Sequence, residues 1–226
     1  MRCVRQRVAN SPDSPRRPRS TVTPSRYAEP GSDLGEGSAT ATGEALVDWA
    51  AEHAAELLVP LGDRWLHCRA VGERARWVAG AFSQQDSVQL VAAAYLHDVG
   101  DAPGLQQTGC HALDGARYLR SLGHERLARL VAHHAEARFE AQLRGLDREL
   151  EGFPREKSAV ADALTYCDMT VGSAGEPMTL HERALDIARR YGDEHAATRS
   201  LAWSMPYLSL ALARTERRLR LRGVVP

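Results

Sequence analysis

The residues of this chain best suited to chemistry are His67, His97, Asp98, His111, His133, His134 and Asp168. Imidazole and carboxylate groups hold borderline divalent metals and move protons near neutral pH. The tightest pairing is His97-Asp98, delivered by the apolar run Leu90-Val91-Ala92-Ala93-Ala94-Tyr95-Leu96. Leu90, Val91 and Ala94 follow helical spacing, and His97 comes next on the same stripe. Gly100 then stands where a glycine commonly stops a helix. A buried His–Asp neighbour pair is costly to desolvate, and a metal ion is the common remedy. The plainer alternative is a core histidine hydrogen-bonded to a solvated aspartate.

These residues meet only if the intervening stretches are helices that turn them to one side. His67 heads the stripe Val71, Ala75, Val78 and Phe82 in a helix expected from the turn Leu61-Gly62-Asp63 to about Phe82. His97 closes a helix expected from Ser87 to Asp98, with Asp86 as its N-cap. His111 falls just before or in the first turn of a helix carrying Leu113, Ala116 and Leu119 and closed by Gly123. Leu127, Leu130, Val131 and His134 stand at i, i+3, i+4 and i+7. His134 is therefore inward, with His133 about 100° around as the alternative. Helix is expected to continue over 138–152, with Phe153-Pro154 breaking it. The stripe Val160, Leu164, Cys167 and Val171 is flanked by Asp168, whereas Asp162 falls on nearly the opposite side.

Ahead of these, Thr42 is expected to cap a first helix with Leu46, Trp49, Ala50, His53 and Leu57 inward. His53 there reads as a packed core histidine. Beyond the glycine-containing loop at 172–177, two or three further helices carry Leu180, Ala184, Ile187, Leu201, Leu208, Leu212 and Leu219. The arginines near the end, Arg214 to Arg222, read as a solvated face. No strand pattern of convincing length appears. The expected class is all-α, a helical bundle over 43–226 behind a disordered, basic, Pro/Ser-rich tail over 1–42.

Composition bounds the remaining choices. The chain has 226 residues, 43% hydrophobic and 6% aromatic, enough for one helical core plus a tail. Basic and acidic residues balance at 29 each, which gives no global attraction for nucleic acid or a membrane surface. Cys3, Cys68, Cys110 and Cys167 form no CxxC pair and read as reduced thiols. With no signal-like or membrane-length apolar run, the expectation is a cytoplasmic protein.

Four histidines and two carboxylates could serve two metal ions, with a carboxylate bridging. The absence of clustered thiolates argues against structural zinc. In order, the set resembles the HD-domain superfamily, named for its His…His-Asp…Asp signature. The resemblance runs from about Arg64 to Gly175. It includes His67 with Val71, Tyr95-Leu96-His97-Asp98-Val99-Gly100 and His111-Ala112-Leu113-Asp114-Gly115-Ala116. Leu130-Val131-Ala132-His133-His134 and Tyr166-Cys167-Asp168 complete it. By that resemblance His67, His97, Asp98 and Asp168 correspond to the core metal ligands. His111 and His134 correspond to the histidines that two-metal members add.

The resemblance implies a metal-dependent phosphohydrolase using one or two divalent ions (Fe, Mn, Co, Ni, Mg or Zn) on a nucleotide or other small phosphate ester. His97 and Asp98 would be the catalytic pair. Arg138, one helical turn beyond His134, is the first candidate for holding substrate phosphate, followed by Lys157 and Arg69. Asp101 is a departure, because many members carry lysine directly after His-Asp-x-Gly. Two other readings remain: an HD-fold diiron oxygenase of a small alcohol or phosphonate, and a non-catalytic helical regulator.

Overall fold

The computed structural model describes residues 36–224, all within one unit, Leu34–Pro226. The tail expected over 1–42 lies outside the described residues, except for Glu36–Thr42, whose backbone is helical. The first helix, α1, is Glu36–Leu58, so Thr42 sits inside it and does not cap it.

The helices α2 (Asp63–Val78), α3 (Gln84–Leu96), α4 (His111–Ser121) and α5 (Glu125–His133) follow. Next come α6 (Arg138–Arg144), α7 (Asp147–Glu151), α8 (Ala159–Met169), α9 (Leu180–Tyr191) and α10 (Ala196–Leu221). Among the described residues the only β pairing is an isolated bridge between Val171 and Pro177. The fold is all-α, as expected.

The bundle is built around α3, which packs against α1, α2, α5 and α8. Every residue from Leu90 to Leu96 is buried. The reason lies in Ala92, Ala93 and Ala94: without bulk on these faces, neighbouring helices approach from all sides. Burial of Leu90 and Leu96 contributes about 1.5–3 kcal/mol each. Ser83 is the N-cap of α3, its Oγ accepting the Asp86 N–H at 3.3 Å, so Asp86 lies in the first turn and is not the cap. A capping Ser three residues before an acid is as good a start signal as the acid itself.

The buried stripe of α1 is Val47, Ala50, Ala54 and Leu58, one residue on from the expected stripe. Trp49 and His53 instead flank the interface. Trp49 stacks on His53, and His53 Nε2 lies 2.5 Å from the Tyr118 hydroxyl on α4. On the far side, α10 packs along α8, α6 and α9. Among the described residues no helix is long and apolar enough to cross a membrane.

Candidate metal centre

The end of α3 sets the site. His97 is the C-cap in helical conformation, and Asp98 leaves the helix at φ −104°, ψ 12° before a 3-10 turn over Val99–Asp101. Gly100 does not stop the helix as expected; it lies within this turn and does not have positive φ. Its role is space. A Cβ there would sit 2.0 Å from the His111 carbonyl oxygen and 2.6 Å from the Gly115 nitrogen. The missing side chain thus lets the first turn of α4 press against the turn after Asp98, which brings His111 Nε2 to 3.1 Å from Asp98 Oδ1. Asp114 secures the same turn of α4, accepting the Gln107 and Thr108 backbone N–H groups, each at 3.0 Å, and the Thr108 hydroxyl at 2.9 Å.

Three histidines are oriented by one device. His67 Nδ1 donates to the Gly172 carbonyl at 3.0 Å, His97 Nδ1 to Ala94 at 2.8 Å and His134 Nδ1 to Val131 at 2.6 Å. A carbonyl only accepts, so Nδ1 carries the proton and Nε2 is left to face the interior. His67 Nε2 lies 3.2 Å from Asp168 Oδ1. His97 Nε2 lies 3.5 Å from Asp98 Oδ2 and 3.8 Å from Asp168 Oδ1, and it is buried with no hydrogen-bond partner. His134 Nε2 is 3.2 Å from His111 Nε2 and 3.7 Å from Asp98 Oδ1.

Three overlapping trios can each hold a metal ion: His67–His97–Asp98, His97–His134–Asp168 and Asp98–His111–His134, with the donor atoms of each within 4.8 Å of one another. Donors spaced this way suit metal–ligand bonds of about 2.0–2.2 Å. Because Asp98 and His97 each belong to two trios, the cluster has room for one ion or two. The orphaned Nε2 of His97 is the strongest sign of fit, since a buried nitrogen lone pair without a partner is rare in a finished core.

Electrostatics agree. Burial drives His97 down to about 4, against the pull of Asp98 and Asp168, so it is neutral at pH 7 and available as a ligand. Burial alone would raise Asp98, but His97, Arg64 and His111 hold it well below the usual carboxylate range. Asp168 is likewise held low despite burial, by its hydrogen bond with His67 and the nearby imidazoles. His111 is lifted to about 10, Asp98 overcoming the effect of burial.

His133 takes the other direction expected of it: its Nε2 donates to the Phe153 carbonyl at 2.6 Å, outside the cluster. Asp162 is likewise remote, paired through both oxygens with Arg214 at 2.7 Å. The three expected phosphate holders do not reach the cluster. The reason for Arg138 is a break in the chain after His134. Ala135 (φ 44°) and Glu136 (φ 58°) are left-handed, so α5 ends and Arg138 is not on His134's helix face. Its guanidinium pairs with Glu136 at 2.8 Å and stacks between Phe139 and Tyr207. Arg69 is exposed beside Glu73, and Lys157 lines a separate cavity.

Two other arginines take their place. Arg64, one helical turn before His67, contacts Asp98 Oδ2 at 2.6 Å and Asp101 Oδ2 at 2.8 Å, and donates to the Tyr191 hydroxyl at 3.1 Å. Its spacing from His67 is a signal readable in the sequence. Arg183 on α9 is buried, its Nη2 3.3 Å from His67 Nε2 and its Nε without a partner. Nothing in its local sequence marks it, because only the reversal between α8 and α9, tied by Gly172 N–H to Glu176 O at 2.7 Å, folds it back. Both arginines, with His111, His134 and Asp168, border a cavity of about 410 Å³.

The HD domain matches residues 64–194, more than half of the chain. The chain belongs to the HD domain family. No curated protein and no solved structure matches it. The matched stretch contains all six residues of the cluster and both site arginines. The family is of metal-dependent phosphohydrolase type, and this HD domain keeps the buried His/Asp groups able to hold a divalent ion.

Proposed function

We propose that this HD domain is a metal-dependent phosphohydrolase acting on a nucleotide or another small phosphate ester. The observation that carries the reading is a metal-competent His/Asp cluster opening on a cavity that two arginines border. The cavity volume is within the usual range for small-molecule sites, about 300–1,000 Å³.

His67, His97, Asp98 and Asp168 would hold the first ion, with Asp98, His111 and His134 holding a second. A divalent ion there supplies Lewis acidity, polarising a phosphoryl oxygen and making water acidic near pH 7. The protein's own part is orientation and charge. The carbonyls of Gly172, Ala94 and Val131 fix three imidazole rings, so no reorganisation is needed when a ligand arrives. Arg64 and Arg183 place guanidinium groups beside both carboxylates, where a phosphate bound between them is met by bidentate donors. Asp101, at the family's usual lysine position, is ion-paired with Arg64, which brings a cation back to that place. With one ion held by His67, His97, Asp98 and Asp168, His111 would stay a cation at neutral pH, able to protonate a leaving oxygen from the cavity side; with a second ion it would be a ligand and hold no such proton.

The test is a panel of phosphomonoesters and nucleotides assayed with Mn, Co, Ni, Fe, Mg and Zn, beside oxygen uptake with small alcohols and phosphonates under iron. Phosphate release that is lost in Arg64→Ala supports the reading. Oxygen consumption coupled to substrate loss, without phosphate release from esters, replaces it with the diiron oxygenase.

A further inference from the structure

A second cavity, of about 740 Å³, contains none of the metal-cluster residues. It is bordered by the first turn of α8, the segment before it and the C-terminal half of α10. Its acids are already matched. Glu136 is bound by Arg138 and Arg155, Glu156 by Arg126 at 2.9 Å, and Asp162 by Arg214 at 2.7 Å. Four of its cations are not. Lys157, Arg217 and Arg222 border the cavity and have no carboxylate partner among the described residues. Arg218 joins them, held in place by the Ala81 carbonyl at 3.2 Å and by stacking on Phe82.

The first turn of α8 adds the positive end of a helix dipole. Ser158 Oγ accepts the Ala161 N–H at 3.2 Å, and Ala159 lines the cavity. The excess of positive charge is local, because the chain's formal net charge is zero. It therefore marks a place and not a generally basic protein.

We propose that this cavity binds a small polyphosphate-bearing anion, at a site separate from the metal centre. The cations converge on one pocket of small-molecule size and do not form a track along the surface, which favours a compact ligand over a nucleic acid strand. Lys157 and the three arginines can each give charge-assisted hydrogen bonds to separate phosphate oxygens. The sole lysine of the chain and the terminal arginines thereby have one common ligand, where each alone is only a solvated charge.

The test is calorimetric titration of sodium tripolyphosphate into the full chain after dialysis against a chelator. The comparison variants are Lys157→Ala/Arg217→Ala/Arg222→Ala and Arg148→Ala, an exposed arginine outside both cavities. The three residues of the triple variant are exposed, so far-UV circular dichroism should match the wild type. We expect tripolyphosphate to bind the wild type, with affinity reduced at least about tenfold in the triple variant and unchanged in Arg148→Ala. Lys157→Ala alone should give a smaller loss in the same direction. Absence of binding to the wild type overturns the proposal. So does equal affinity in the triple variant, which would put the anion elsewhere on the chain. Tighter binding of a single-stranded oligonucleotide than of tripolyphosphate would make the surface a nucleic-acid site instead.

Discussion

In the metal-free protein, His97 should make the fold acid-sensitive between about pH 6.5 and 4, with Asp101, whose carboxyl is raised by burial, working in the opposite direction. Its ring is fully buried, and burial lowers it from 6.5 to about 4. The unfolded chain therefore binds a proton between pH 6.5 and 4 that the folded chain refuses, so stability falls as pH falls through that interval. Across that interval the loss amounts to about 3 kcal/mol. That is a large part of a typical domain stability of about 5–15 kcal/mol. Asp98 and Asp168 do not confound the window: held below 3.8 in the fold, they contribute fully above that pH and are lost only beneath it. His111, lifted to about 10, is protonated in both states at the acid end, and its contribution fades progressively as pH rises from about 6.5 to about 10. His124 and His133 are also lowered by burial, so the comparison must be made against a variant. The assay is urea unfolding of chelator-dialysed wild type and His97→Leu, followed by circular dichroism at several values from pH 7 to pH 4. His97→Leu should lose most of the acid dependence between those limits. Parallel pH profiles in the two proteins would refute the argument that desolvation of His97 dominates.

Three further outcomes follow from the geometry. Asp168→Asn should abolish bound metal, whereas Asp162→Asn should spare it and remove only a partly exposed pair with Arg214, worth under about 1 kcal/mol by chemical denaturation. Gly100→Ala should destabilise the fold by about 1–3 kcal/mol or more, because the new methyl meets the His111 carbonyl, and the loss of metal affinity should accompany a fall in Tm. Metal addition to the apoprotein at about pH 8 should release protons measurable with an indicator dye, since His111 is protonated there and must be neutral to act as a ligand; His111→Ala should release about one fewer.

How much of this was legible in the sequence depended on the range of the interaction. Helical periodicity placed His67, His97 and His134 inward and chose Asp168 over Asp162, because a helix fixes direction from local spacing alone. The same rule failed at Arg138, where two left-handed residues, Ala135 and Glu136, interrupt the helix without a glycine or proline to announce it. Non-glycine residues seldom adopt that conformation, so no composition signal exists. Arg183 was illegible for a different reason. Its approach to His67 spans 116 positions and depends on how α9 returns over the end of the bundle. Gly100 was read as a helix stop, a local role, when its constraint is the backbone of α4 pressed against it. The N-cap of α3 shows the same lesson at short range: Ser83 and Asp86 are both plausible caps, and only the hydrogen-bond direction decides between them.

The central claim is that the His/Asp cluster holds a catalytic divalent ion. Elemental analysis of the purified wild type and of Asp98→Ala tests it most directly, because Asp98 belongs to two of the three trios. We predict one or two equivalents of a divalent transition metal or magnesium per wild-type chain, and loss of that metal in a variant whose far-UV spectrum remains helical. Equal metal content in the two proteins, or a wild type that takes up no divalent ion from solution, would contradict the account.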